Sequence, residues 1–102
     1  MKIVYIASPY TVGDVAVNVK TQMDTADSLI EKGYCPIAPL LSHFLHINKP
    51  RPYEDWTKMD MALVRVSDYV LRLPGESRGA DAEVELAKSL KIPVVYNIGS
   101  LK

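Results

Sequence analysis

The stretch Asp68-Tyr-Val-Leu-Arg-Leu-Pro-Gly-Glu-Ser-Arg-Gly-Ala-Asp-Ala-Glu-Val-Glu-Leu-Ala-Lys-Ser-Leu90 decides the fold. It predicts a buried strand over Tyr69 to Leu73, a Pro-Gly turn, a Ser- and Gly-bearing loop, and a helix from about Gly79 to Leu90. On a helical wheel Ala80, Val84, Leu86, Ala87 and Leu90 share one side, whereas Asp81, Glu85 and Lys88 lie opposite. Glu83 falls in the middle of the apolar side. A carboxylate facing inward is costly unless it is paired, protonated or put to use. Two readings follow. In one, Ser77 or Gly79 caps the helix and Glu83 reaches back to a free backbone amide, as in a capping box. In the other, Glu83 is a reactive carboxylate at the mouth of an α/β sheet, where ligands sit beyond the carboxyl ends of the strands. The second is the stronger, because a Glu four or more positions past the cap fits the box poorly.

Outward from this stretch the chain alternates strands and helices. Lys2 to Ala7 reads as a central parallel strand covered on both faces. Ser8 to Thr11 ends it with turn chemistry, and Asp14 caps a first helix whose apolar positions are Val15, Val19, Met23, Ala26, Leu29 and Ile30. Gly33 stops that helix. Tyr34 to Ala38 is a short second strand, and Pro36 places it at a sheet edge because proline lacks a ladder donor. The segment Pro39 to Pro52 carries Leu40, Leu41, Phe44, Leu45 and Ile47. It reads as partly ordered, with one helical turn, packed over the cleft or against a partner chain. Pro52 opens a further helix to about Val66 with Trp56, Met59, Leu63 and Val66 as its inward stripe and Asp60 at the stripe's border. Pro93 to Tyr96 makes a last strand, and 97–102 a tail.

This pattern predicts an α/β, three-layer, Rossmann-like (flavodoxin-like) sandwich with a parallel sheet of four strands, or five, in the order 2-1-3-4. The ends of strands one and three then meet. Ser8 and Tyr10 on one side face Ser77, Arg78 and Gly79 on the other, at the place where such sheets bind ligands. Free amides at a helix start, Gly79, Ser77 and Arg78 make an anion cradle there.

The chain has 102 residues, 12 basic and 12 acidic side chains, and a single cysteine, Cys35. That length fits one domain over 1–102 with a core that needs no disulfide or metal staple. Balanced charge supplies no field for a nucleic-acid polymer or a membrane surface. The start of the chain runs straight into a strand-length apolar run, too short for a signal peptide or membrane span, so a cytoplasmic location is expected. No Walker lysine motif or dinucleotide glycine triplet is present, and no cofactor is expected. His43 and His46 have no convincing third ligand, so no metal is expected either. Ser42, His43 and Asp60 can be assembled into a triad on paper, but nothing in their context resembles a nucleophile elbow.

Tyr-Ile-Ala-Ser-Pro-Tyr at the first strand, Trp-x-x-x-Asp on the middle helix and Ser-x-Gly-x-x-x-Glu after the third strand form a more telling combination. With the Gly-Tyr-x-Pro and Ile-Pro-Val segments, it resembles the nucleoside 2-deoxyribosyltransferase-like superfamily. The likeness is nearest to a small bacterial and phage branch related to the 2′-deoxynucleoside 5′-phosphate N-hydrolases, and it covers nearly the whole chain. The resemblance implies that Glu83 is the nucleophile, that Asp60 assists at the active centre and that Tyr5 orients the nucleophile. It implies cleavage of the N-glycosidic bond of a nucleoside or its 5′-monophosphate through a glycosyl-enzyme, by hydrolysis or base transfer. It also implies a homodimer or dimer of dimers. Ser77 stands where nucleoside transferases carry an Asp and nucleotide hydrolases a Ser, and a neutral donor suits a phosphate. Two positions depart from the pattern. Asp81 replaces a residue that is commonly Gly or small, and the turn Leu-Pro-Gly-Glu-Ser lacks the Trp usual after Gly. Two other readings compete: a nucleotide-binding or sensing module without turnover, and a structural phage or mobile-element protein that kept the fold alone.

Overall fold

The computed structural model describes residues 1–101. Four strands form an all-parallel sheet in the order β2-β1-β3-β4. They are β1 (Ile3–Ala7), β2 (Cys35–Ile37), β3 (Tyr69–Arg72) and β4 (Val94–Val95). Four helices connect and cover them: α1 (Val15–Glu31), α2 (Ser42–Asn48), α3 (Tyr53–Arg65) and α4 (Arg78–Ser89). Short 3₁₀ turns at Pro39–Leu41 and Ile98–Ser100 complete the chain, the second lying in what the sequence reads as tail. The architecture is the expected one, with four strands rather than five. Lys102, the last residue of that tail, lies outside the described residues.

Strand β1 is central because both of its faces are apolar. Val4 and Ile6 join Leu29 and Leu71 in one core cluster, while Tyr5 and Ala7 join Val64, Val70, Ala80, Val84 and Ala87 in the other. Alternation along the strand thus sends Tyr5 toward the α3/α4 layer. Its register pairs Tyr5 with Val70 on β3 and with Ile37 on β2. Pro36 sits in β2 at the sheet edge, where a missing N–H costs little.

Local chemistry sets the helix ends. Asp14 Oδ1 accepts from Val17 N at 3.1 Å to start α1. That helix stops in a Schellman arrangement, with Gly33 N bonded to Ile30 O at 3.0 Å, Tyr34 N to Leu29 O at 3.0 Å, and Gly33 at φ +88°. Ser77 caps α4, its Oγ accepting from Ala80 N at 3.1 Å. Leu90, expected on the inward face of α4, is instead its C-cap residue and is exposed.

Two inward stripes differ from the expected ones. On α1, Met23 and Ile30 are exposed, and Gln22 takes the buried position between Val19 and Leu29. On α3, Met59, Leu63 and Val66 are exposed, and the inward line runs through half-buried Trp56 and Asp60 to fully buried Val64. Each helix is rotated so that a polar side chain with a hydrogen-bonding or charged role faces inward, which a hydropathy pattern counts against. The Pro39 to Pro52 segment is more ordered than expected. It holds a 3₁₀ turn and the seven-residue α2, whose Phe44, Leu45 and Ile47 stand exposed.

The loops after β1 and β3 touch, as the strand order requires. Gly75, at φ +117°, lies against Pro9, and a Cβ there would come within 2.7 Å of the Pro9 ring. Gly75→Ala is therefore expected to lower stability by about 1–3 kcal/mol, from left-handed strain and the clash together. Chemical denaturation measures it, and an unchanged midpoint would show that the two loops part easily.

Candidate active site

The carboxyl ends of β1 and β3, the starts of α3 and α4, and α2 enclose a cavity of about 780 Å³. Ser8, Tyr10, Asp60, Ser77, Arg78, Gly79 and Glu83 line it. Tyr5 lies beneath the floor, fully buried, and reaches the cavity through Glu83. All eight residues singled out in the sequence therefore surround one volume.

Glu83 sits in the second turn of α4, 8 % exposed, on the same face as Ala80, Val84 and Ala87. Its Oε2 accepts a 2.6 Å hydrogen bond from the Tyr5 hydroxyl, across 78 positions of sequence. No full capping box forms: Ser77 accepts from Ala80 N, but the third helical position is Ala80 itself, and Glu83, three residues further on, turns to Tyr5 on the sheet. Burial pushes the Glu83 carboxyl up to about 7. The Tyr5 bond and the Arg72 charge pull it down, and the nearby Asp60 charge pushes it further up. Asp60 is raised to about 6 by burial. Burial, then the charges of Glu83 and Asp60, hold the Tyr5 phenol far above its ordinary range, so Tyr5 stays a proton donor to Glu83 at every working pH. Both carboxyl groups titrate near neutrality, and Glu83 is in addition fixed by a permanent donor.

The start of α4 offers donors. Ser77 Oγ accepts from Ala80 N and keeps its own proton, and the Arg78 and Gly79 amides are first-turn groups with no intrahelical partner. Asp81, on the next position, does not line this cavity. It pairs with Arg72 (Nη2 to Oδ1, 2.9 Å) on the far side of the loop, and the same Nη2 also donates to Gly75 O at 2.8 Å. Its charge is thus met before it reaches the cradle.

The opposite wall belongs to α2. His43 Nδ1 is bonded to the Tyr10 hydroxyl, and His46 Nδ1 accepts from Trp56 Nε1 at 3.0 Å and from Arg51 N at 3.2 Å. Both of these groups can only donate, so Nδ1 is the accepting nitrogen of the His46 ring. Ser42 and His43 line the cavity beside Asp60, but His43 is engaged by Tyr10 and no triad exists. Among the described residues no three His, Cys, Asp or Glu side chains are grouped to hold a metal ion. Nor is any helix among them long and apolar enough to cross a membrane. Sequence reasoning missed Gln22, which is buried behind Ser8, and Trp56 as a cavity residue. A polar residue at helical spacing between Val19 and Leu29 was the available signal for the first.

Fold and cavity together define a Rossmann-like α/β domain in which a buried glutamate, Glu83, and a half-buried aspartate, Asp60, line one cavity at the switch point of the sheet. The chain belongs to the family described as Domain of unknown function (DUF7768), which it matches over residues 2–97. No curated protein matches it detectably.

The raised carboxyl groups make stability depend on pH. An unfolded Glu titrates near 4.3, and folded Glu83 near 7, so the folded chain holds the extra proton in between. The contribution of this group is then fully present below about pH 4 and is lost as pH rises through 7, by roughly 3–4 kcal/mol. Glu83→Gln, which keeps an acceptor for Tyr5, should flatten the profile and be the more stable protein at pH 8. Denaturant midpoints from pH 4 to 8 measure this, and parallel curves for the two proteins would refute the buried acid.

Proposed function

We propose that the protein cleaves the N-glycosidic bond of a nucleoside 5′-monophosphate or nucleoside through a covalent intermediate on Glu83. It would then act as a member of the nucleoside 2-deoxyribosyltransferase-like superfamily that its motifs resemble. The observation that carries this reading is the Glu83 carboxylate, buried in the cavity wall and oriented by Tyr5 beside Asp60. A carboxylate held so is costly as scaffold and apt as nucleophile.

One Glu83 oxygen attacks the anomeric carbon as the bond to the base nitrogen breaks, and the electron pair leaves with the base. Asp60 is protonated at that moment and gives its proton to the base, since positive charge developing on the sugar favours an ionised Glu83. Water, or a second base, then attacks the same carbon, returns its proton to Asp60 and frees Glu83. Tyr5 stays bonded to the carboxylate throughout. Ser77, the Arg78 and Gly79 amides and the dipole of α4 favour a phosphate at the cavity end. The pairing of Asp81 with Arg72, outside the cavity lining, supports this by offsetting part of the opposing charge.

Incubation with nucleosides and their 5′-monophosphates, followed by chromatography, should show free base, released faster from the monophosphates. Release should peak near neutral pH and fall on both sides, since the step needs Glu83 ionised and Asp60 protonated. Glu83→Gln should lose at least about a thousandfold in rate while still binding the compound the parent cleaves. Full activity in that variant would refute the nucleophile. Binding without release by the parent would make the domain a nucleotide-binding module instead.

The same reading makes the chain a homodimer or dimer of dimers. Phe44, Leu45 and Ile47 on α2 and Met59, Leu63 and Val66 on α3 leave more apolar surface in water than a monomer of this size needs. Light scattering at micromolar protein should give at least twice the chain mass, and Phe44→Asp with Ile47→Asp should lower it. A monomer mass for the parent overturns the assembly.

A further inference from the structure

Gln22 is 1 % exposed and yet carries a primary amide. Its Oε1 accepts from Leu40 N at 2.8 Å, and its Nε2 donates to Ile6 O at 3.2 Å and to Ser8 Oγ at 2.8 Å. These partners leave no freedom in how the amide is turned. The Leu40 N–H can only donate and the Ile6 carbonyl can only accept, so the amide oxygen faces Leu40 and the NH₂ faces Ile6 and Ser8. Ser8 Oγ is therefore an acceptor toward Gln22, and its own proton must go elsewhere. Among the described residues nothing accepts that proton. Ser8 is 9 % exposed, and what remains open of it faces the cavity.

The loop that carries Ser8 is held from the same helix. Asn18, one turn before Gln22 on α1, donates from Nδ2 to Tyr10 O and Val12 O, each at 2.9 Å. The two amides grip the segment from Ser8 to Val12, so the hydroxyl has a fixed place as well as a fixed sense.

We infer that Gln22 is a positioning residue that turns Ser8 into a hydrogen-bond donor aimed at the ligand, so that this corner of the cavity takes an acceptor atom. A base carbonyl, a ring nitrogen, a sugar oxygen or a phosphate oxygen meets that demand. An exocyclic amino group, with protons of its own to place, does not. The inference rests on the cavity's being a nucleotide site. The arrangement of Gln22 and Ser8 can be tested without that assumption.

The first test uses the ligand-free protein and NMR. Ser8→Ala should shift the Gln22 side-chain amide proton that faces Ser8 and leave the Leu40 amide in place. An unshifted Gln22 amide overturns the arrangement. The second test measures binding by calorimetry in the Glu83→Gln background, with the four common deoxynucleoside 5′-monophosphates and their nucleosides. Ser8→Ala should weaken the tightest of them by about 5- to 10-fold, the worth of one hydrogen bond. Gln22→Glu, measured at a pH high enough to ionise the buried acid, keeps the shape but cannot donate, and its carboxylate captures the Ser8 proton. It should weaken binding by a similar factor, and the double variant should be no weaker than either single one. Losses that multiply would make Gln22 a structural residue only and overturn the proposal. A loss confined to the monophosphates assigns the acceptor to phosphate, whereas a loss shared by the nucleosides assigns it to base or sugar. Thermal melts check folding. If Gln22→Glu does not fold, Gln22→Met frees the Ser8 proton to turn to Ile6 O, and the same lack of additivity is expected. If no compound binds, the nucleotide reading fails, and the Gln22 amide shift alone decides whether the hydroxyl is fixed.

Discussion

The hydrogen bond from the Tyr5 hydroxyl to Glu83 is the interaction on which the rest of the architecture turns. It ties the middle of the central strand to the second turn of α4, across the layer filled by Val64, Val70, Ala80, Val84 and Ala87. An ionised carboxylate in that layer without a partner would cost several kcal/mol. One buried donor does not remove the cost, as the raised Glu83 shows. It fixes where the carboxylate points and leaves its second oxygen toward the cavity. Packing alone would give the position to a leucine, so the sacrifice of stability is itself the reason to look there for chemistry.

A second layer of polar structure stands behind the first. On α1, Asn18 and Gln22 serve the loop after β1, and on β3, Arg72 serves the loop after it by gripping Gly75 O and Asp81. Each loop at the mouth of the sheet is thus held from its own flanking element, and Pro9 against Gly75 sets the two in contact. Short loops so restrained keep hydroxyls and amides at fixed separations, which is what selective binding of a small polar ligand requires.

Much of this was legible in the residues. Pro36 placed its strand at the edge, the apolar run of Ile3 to Ala7 placed another at the centre, and right-handed crossovers left the order 2-1-3-4. Glu83 on an apolar arc could be picked out because the arc around it is otherwise unbroken. The facing of α3 could not, because that helix carries two arcs. Trp56, Met59, Leu63 and Val66 look like a core stripe by hydropathy, yet Val64 enters the core while Trp56 and Asp60 face the cavity, and the acid hides the true face. Gln22 was hidden for the same reason. A buried side chain chosen for its hydrogen bonds carries no hydropathic signature, and only the geometry of its three partners reveals it.

The manner in which α2 is attached carries a consequence for how such a domain can diversify. The helix joins the body of the protein through side chains, His43 to Tyr10 and His46 to Trp56, and through the short turn at Pro39–Leu41. It gives no strand to the sheet and no residue to the carboxylate pair. Insertion, deletion or wholesale exchange between Leu41 and Pro52 would recast the outline of the chamber while Tyr5, Asp60 and Glu83 beneath kept their places. Domains sharing this floor can therefore differ in what the chamber admits while the floor itself stays the same.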